Sequence, residues 1–186
     1  MRAMRVALAL LLLSMVLLGP ACAGKLRFFG SGSEARFRHR ELGYEVAYPS
    51  VLDRPGWSMG SLAESDLLVH HVDGSAWALA SNCRATKAPL PVLAAELARA
   101  TGGRTKVEGV AIEHAGLPGI SQHLVRVEAD RLLQLKTVTL RGAHCTYDWI
   151  LIAPSEARLK ELEPLFDAWW QSFEPGPGER ETGDGQ

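Results

Sequence analysis

Between Gly43 and Ala153 the apolar residues fall mostly on alternate positions, the period of a strand with one buried face. Leu42-Gly43-Tyr44-Glu45-Val46-Ala47-Tyr48 alternates and stops at Pro49, which reads as an opening strand. Pro55-Gly56-Trp57 turns the chain into a second short segment. Residues 66–72 and 75–83 flank Asp73-Gly74, a hairpin signal because glycine tolerates the positive φ such turns need. Further strands are predicted over 107–113, 119–128, 131–140 and 144–153. In the last of these both alternating sets are partly apolar, which places it near the sheet centre with both faces covered.

Two stretches change period. Pro89 and Pro91 precede Val92, Leu93, Leu97 and Ala100 at helical spacing, and Gly102-Gly103 ends that helix. Ser155 is a suitable cap for a second helix whose apolar face is Leu159, Leu162, Leu165, Phe166, Trp169, Trp170 and Phe173. Pro164 interrupts it and predicts a kink or two shorter helices. The pattern is α+β: a mainly antiparallel β-sheet with helices packed on its faces.

The first residues belong to neither pattern. Arg2 and Arg5 precede an apolar run from Val6 to Leu18, broken only by Ser14, and Cys22 follows. This is the layout of a signal peptide over 1–21, too short to span a bilayer. Two cleavage readings stand. Cutting before Cys22 would leave a cysteine for lipid attachment, although Gly19 occupies the position where such sites carry an aliphatic residue. Cutting after Ala21-Cys22-Ala23 would release a soluble chain that begins at Gly24. The lipid anchor is the favoured reading, because residues 22–36, with Gly30-Ser31-Gly32-Ser33, have the composition of a flexible tether. Residues 37–174 form one globular domain, and Pro175-Gly176-Pro177-Gly178 opens a tail over 175–186 predicted to be disordered.

Removal of Arg2 and Arg5 takes the formal charge from −1 to −3, a balance that argues against nucleic acid or an anionic membrane face as partner. Besides Cys22 the chain has only Cys83 and Cys145. Cys83 continues the alternate positions of Trp77, Leu79 and Ser81, and Cys145 begins those of Tyr147, Trp149 and Leu151. In an oxidising compartment the two are expected to form a disulfide.

The order of elements resembles that of the PsbP-like proteins, named for an extrinsic subunit of photosystem II. The resemblance is carried by Gly43-Tyr44-Glu45-Val46-Ala47-Tyr48-Pro49 with Trp57, by Gly116-Leu117-Pro118-Gly119, by Cys145-Thr146-Tyr147-Asp148, and by Phe166 with Ser172-Phe173. It covers nearly all of 37–173 and implies an α-β-α sandwich with an accessory or binding role, often in exported or lipid-anchored proteins. It transfers no catalytic residue, and the Cys83 and Cys145 pair is not a general feature of that family.

Candidate chemistry is sparse. His70 and His71, with Asp66 and Asp73, are the one local cluster of metal-capable side chains. Adjacent strand residues point to opposite faces, so only one of the pair could join His144 or His123 around an ion. No nucleophile elbow, zinc-protease helix or phosphate loop is present. A Ser81, Asp148 and His144 set lacks a turn that would expose the serine. Asp148, among Tyr147, Trp149 and Ile150, calls for a partner such as Arg126 or Lys136. Trp169 and Trp170 subtend a wide arc, so one of them could mark a partner surface instead of core. The expectation is a non-enzymatic lipoprotein of the cell envelope without a cofactor, held to a membrane through Cys22 and binding another envelope component. Ala23 after the cysteine points to the outer membrane. The alternative is a soluble periplasmic protein that binds a metal or small ligand.

Overall fold

Alternation, turns and caps place the strands and helices close to where the sequence predicts them. The computed structural model describes residues 25–84 and 88–180. The expected signal peptide over 1–21 and Cys22 lie outside the described residues. The strands are β1 (Leu26–Phe29), β2 (Arg36–His39), β3 (Glu45–Ala47), β4 (Trp57–Gly60), β5 (Leu67–His71), β6 (Ala76–Asn82), β7 (Arg104–His114), β8 (Leu117–Glu128), β9 (Arg131–Arg141) and β10 (Thr146–Ala153). The helices are α1 (Leu90–Ala100), between β6 and β7, and α2 (Glu156–Trp170), after β10.

β4 to β10 form one seven-stranded sheet in the order β4-β5-β6-β10-β9-β8-β7, antiparallel at every pairing. β10 is the central strand, as its two-sided apolar pattern requires. At the β5–β6 hairpin Gly74 takes φ +93°, and Ser75 N–H donates to Asp73 Oδ1 at 2.7 Å. Ser155 caps α2 by accepting from Arg158 N–H at 3.2 Å.

The two sheet faces differ. On one, Trp77, Leu79, Val138, Leu140, Tyr147, Trp149 and Leu151 meet Leu162, Phe166 and Trp169 of α2 in the main core. On the other, α1 covers a smaller cluster of Ala98, Leu124, Leu133 and Leu135, with Ile152 packed against it. Both faces are thus covered by helices, giving an α-β-α arrangement.

Several expectations are corrected. α2 runs without interruption through Pro164. Pro164 lies on the exposed side of the helix, so the Lys160 carbonyl it leaves without a helical donor can turn to water. Trp169 and Trp170 are both buried. Trp169 stacks on Trp77 with centroids 5.5 Å apart and donates to Ala47 O at 3.0 Å, while Trp170 donates to Asp167 Oδ1 at 2.9 Å. Neither is a partner surface, because the adjacent arc of α2 rests on β3 and its flanking segments as well as on the large sheet.

The tether and the tail are also partly structured. β1 pairs with β2, and β2 with β3, in a separate three-stranded antiparallel sheet. Phe28 packs on Phe37 and Tyr48 at 5.6 and 5.8 Å between centroids. At the other end Glu174 pairs with Glu45 through two backbone hydrogen bonds of 2.8 and 2.9 Å. The carboxylate of Glu179, 5% exposed, accepts from the N–H groups of His144 and Cys145 at 3.2 Å each. The folded unit therefore reaches from Lys25 to Arg180, beyond the expected 37–174. A Cβ at Gly142 would overlap the Glu179 carboxylate, so Gly142→Ala should displace this strap. The expected result is faster amide hydrogen exchange at His144 and Cys145, which are its hydrogen-bond donors.

Candidate binding face

The register lays the side chains of the second face out in rows. One row runs Leu124, Leu135, Ile152, Ala76, His70, Ser58, and α1 covers its first half. The next runs Gln122, Thr137, Ile150, Ala78, Leu68, Gly60, and the third Ile120, Thr139, Asp148, Ala80. Leu68, Ala78, Ala80 and Ile150 are only half-buried, whereas their counterparts on the first face are closed over. The three alanines of β6 leave this region shallow, because a methyl group is all that stands above the sheet there.

A polar seam crosses the same face. Thr139 donates its hydroxyl to Asp148 Oδ1 at 2.7 Å. Burial pushes the Asp148 carboxyl up to about 6, with the Thr139 hydrogen bond offsetting part of the rise. Gln122 Oε1, one row away, is buried without a hydrogen-bond partner. Asp148 thus takes a hydroxyl partner instead of Arg126 or Lys136. Arg126 bonds to Thr101 O and Glu128. Lys136 faces the opposite side, where its Nζ lies 2.7 Å from Glu163 and 2.8 Å from Asp167.

The sign of the Asp148 effect follows from its raised pKa. The folded state holds the proton more tightly than the unfolded chain, so this group's penalty on stability grows as pH rises from its ordinary 3.8 through about 6 and is complete above that. Asp148→Asn keeps an acceptor for Thr139 and removes the charge. It should stabilise the protein by about 2 kcal/mol at pH 8 and by little at pH 4, as read from urea unfolding at the two pH values.

On the α2 side Lys136 is the buried cation between two carboxylates, and His123 Nε2 adds a 3.1 Å contact to Glu163. Burial would raise Glu163, but Lys136 and His123 together hold it below its ordinary value. Lys136→Met leaves Glu163 and Asp167 facing each other and should cost about 2 kcal/mol of stability, with a lower thermal midpoint as the check.

A concavity of about 360 Å³ is lined by Arg54, Pro55, Trp57, His71, Asp73, Arg158 and Glu161. Its charges are matched internally: Arg158 reaches Asp73 at 3.0 Å and Glu161 at 2.7 Å, and His71 Nδ1 lies 2.9 Å from Asp73. Burial alone would raise Asp73, yet the Ser75 backbone and hydroxyl, His71 and Arg158 bring it to about 2. This network fastens the β5–β6 hairpin to α2.

The metal candidates are held apart. His70 lies on the second face with Nε2 3.3 Å from Ser58 Oγ, His71 lies on the first against Trp57, and His144 sits in the β9–β10 turn beneath the C-terminal strap. Among the described residues no three His, Cys, Asp or Glu side chains form a metal-holding group. Ser81 pairs with Tyr147 on the opposite face from Asp148, so the Ser81, Asp148 and His144 set does not assemble. The disulfide does form. Asn82 pairs with Thr146, and the next residues along that ladder, Cys83 and Cys145, are joined with S–S 2.05 Å. Thr139 and Gln122 had no distinguishing signal in the sequence, since Thr139 matters by lying beside Asp148 and Gln122 by the burial of its Oε1 without a partner.

No protein-family model and no curated sequence matches this chain. Among solved structures, cyanobacterial PsbP from Synechocystis sp. PCC 6803 is similar at 14% identity and TM-score 0.53, over 84% of this chain and 96% of that one. LpqN of Mycobacterium tuberculosis, described as involved in cell envelope biogenesis, is similar at 10% identity and TM-score 0.50, over 82% of this chain and 92% of its own. A Bacteroides thetaiotaomicron protein overlaps at 11% identity and TM-score 0.47, and this chain spans 44% of that one's length. The layered antiparallel sheet, its two helices and the likenesses to PsbP and LpqN agree: the chain has the PsbP-like fold.

Proposed function

We propose that the protein is a non-enzymatic component of the bacterial cell envelope, tethered to the periplasmic side of the outer membrane by lipid on Cys22, and that it binds another envelope protein. The observation that carries the binding role is the half-open sheet face, where Leu68, Ala78, Ala80 and Ile150 surround the Asp148–Thr139 pair and the partnerless Gln122 Oε1. An apolar floor with a few fixed polar groups suits a protein partner that brings a donor to the seam. The export segment and the disulfide support an oxidising compartment outside the cytoplasm. The envelope role attributed to LpqN, which shares the fold, supports the same assignment.

Two measurements test this reading. Intact mass of the mature protein from its native host should give a chain that begins at Cys22 and carries a lipid-sized addition; a bare chain from Gly24 would remove the tether. A photo-crosslinking residue at Ala78 should give a discrete adduct in cells that is absent when the same residue replaces Met59 on the other face. Adducts of equal yield from both positions, or from neither, would end the case for the face.

A further inference from the structure

We propose that the three-stranded sheet at the N-terminus is a membrane-facing surface, with β1 resting on anionic headgroups of the bilayer that holds the anchor. The inference rests on the lipid tether at Cys22. From Lys25 to Arg40 the chain has five basic residues, Lys25, Arg27, Arg36, Arg38 and Arg40, against one acidic residue, Glu34. The whole sequence is net −1, so the remainder is distinctly acidic. Overall charge therefore conceals a local cationic face, and the expectation that an anionic membrane is disfavoured does not hold for this part of the molecule.

Geometry gives that charge a direction. β1 is an edge strand of its sheet, and the register pairs Arg27 with Arg38 and Phe29 with Arg36, so these four share its outer face. Arg27, Phe28, Phe29, Arg38 and Arg40 are exposed, Phe28 at 52% and Phe29 at 37%. Arg36 and Arg38 are engaged by Glu45 at 3.3 and 3.2 Å, but Arg27 and Arg40 have no ion-pair partner among the described residues. Exposed Phe29 shares its face with unpaired Arg27, while Phe28 turns the other way onto Phe37 and Tyr48. A ring beside guanidinium groups matches the boundary between headgroups and acyl chains, where rings insert and guanidinium groups meet phosphate.

The chain length places the surface at that boundary. Three residue steps separate Cys22 from Lys25, at most about 11 Å of extended chain, so a lipid on Cys22 brings β1 to the headgroups. The strand is also fixed to the domain: Lys25 Nζ is 2.9 Å from Asp66, whose side chain is fully buried, and Lys25 O accepts from Arg40 N–H at 2.9 Å. The domain is thereby held in one orientation relative to the bilayer.

The test introduces an extra tryptophan as a depth probe, Phe29→Trp, with Val127→Trp at the β8–β9 tip as control. Mature protein from the native host is reconstituted into vesicles of phosphatidylglycerol and phosphatidylcholine in equal parts, with brominated acyl chains as quencher. Emission from Phe29→Trp should be quenched and blue-shifted, and the added emission of Val127→Trp should not be. Arg27→Glu and Arg40→Glu should each weaken vesicle binding of protein stripped of its lipid by about fivefold. A lipid-bearing chain with an unquenched Phe29→Trp would overturn the surface and leave the tether intact, and an acidic protein partner for β1 would give that outcome. If mass shows no lipid, the tether fails separately. The surface then stands only if the unmodified chain sediments with these vesicles and not with pure phosphatidylcholine; no sedimentation overturns it.

Discussion

Replacement of both Cys83 and Cys145 by alanine should cost about 4 kcal/mol of folding stability, seen as a lower urea midpoint. The bridge spans 62 residues of sequence that include β6's exit, all of α1 and the β7–β8–β9 meander. Without it the unfolded chain regains the freedom of that whole loop, while the native ladder between β6 and β10 keeps its hydrogen bonds. Reduction of the wild-type protein should reproduce the loss, and the double variant should be insensitive to reductant. A loss under 1 kcal/mol would mean that residual structure already holds the segments around Asn82 and Thr146 together in the denatured ensemble.

Trp77→Ala should be as damaging, at about 4 kcal/mol. Trp77 is fully buried on β6 and lies within 5.7 Å, centroid to centroid, of Trp57, Phe166 and Trp169. Those three rings come from β4 and from two turns of α2, so the cavity would open where the sheet edge, its centre and the helix meet. Trp77→Phe should recover most of the loss because it keeps an aromatic ring in the gap. Six residues of strand separate Trp77 from Cys83, about 20 Å, so the two losses should add. Against the roughly 5–15 kcal/mol of a typical domain, the combined variant should be largely unfolded by circular dichroism at 37 °C.

Both predictions draw on features that local sequence already displays. Alternation from Tyr44 to Ala153 determined the strands, Asp73-Gly74 and Gly102-Gly103 the breaks, and Ser155 the start of α2, because these signals act through neighbours a few residues away. The central position of β10 and the Cys83–Cys145 bridge were legible for the same reason: each depends on which face of one strand a residue occupies.

What lay beyond the sequence involves contacts between distant segments. β1 is the exception: only six residues separate it from its partner β2, but the glycine and serine between them read as tether. Pairing with Arg36–His39 makes it a strand. Glu179 gains its place from two N–H groups more than thirty residues earlier. Trp169 and Trp170 occupy a helix arc that periodicity alone leaves half exposed, until β3 meets Trp169 and His114 of β7 meets Trp170.

The candidate face shows the same division. Asp148 stood out by type, but its partner, its raised pKa and the half-open floor around it came from the register of β8, β9, β10 and β6. The sequence by itself determined the element order, the strand faces and the disulfide, since period, turn chemistry and cysteine position are local properties. Only the tertiary structure decided the ends of the domain, the burial of the tryptophans, the separation of the histidines and the outward set of Arg27 and Phe29, because burial and pairing depend on which remote segment arrives to cover a surface.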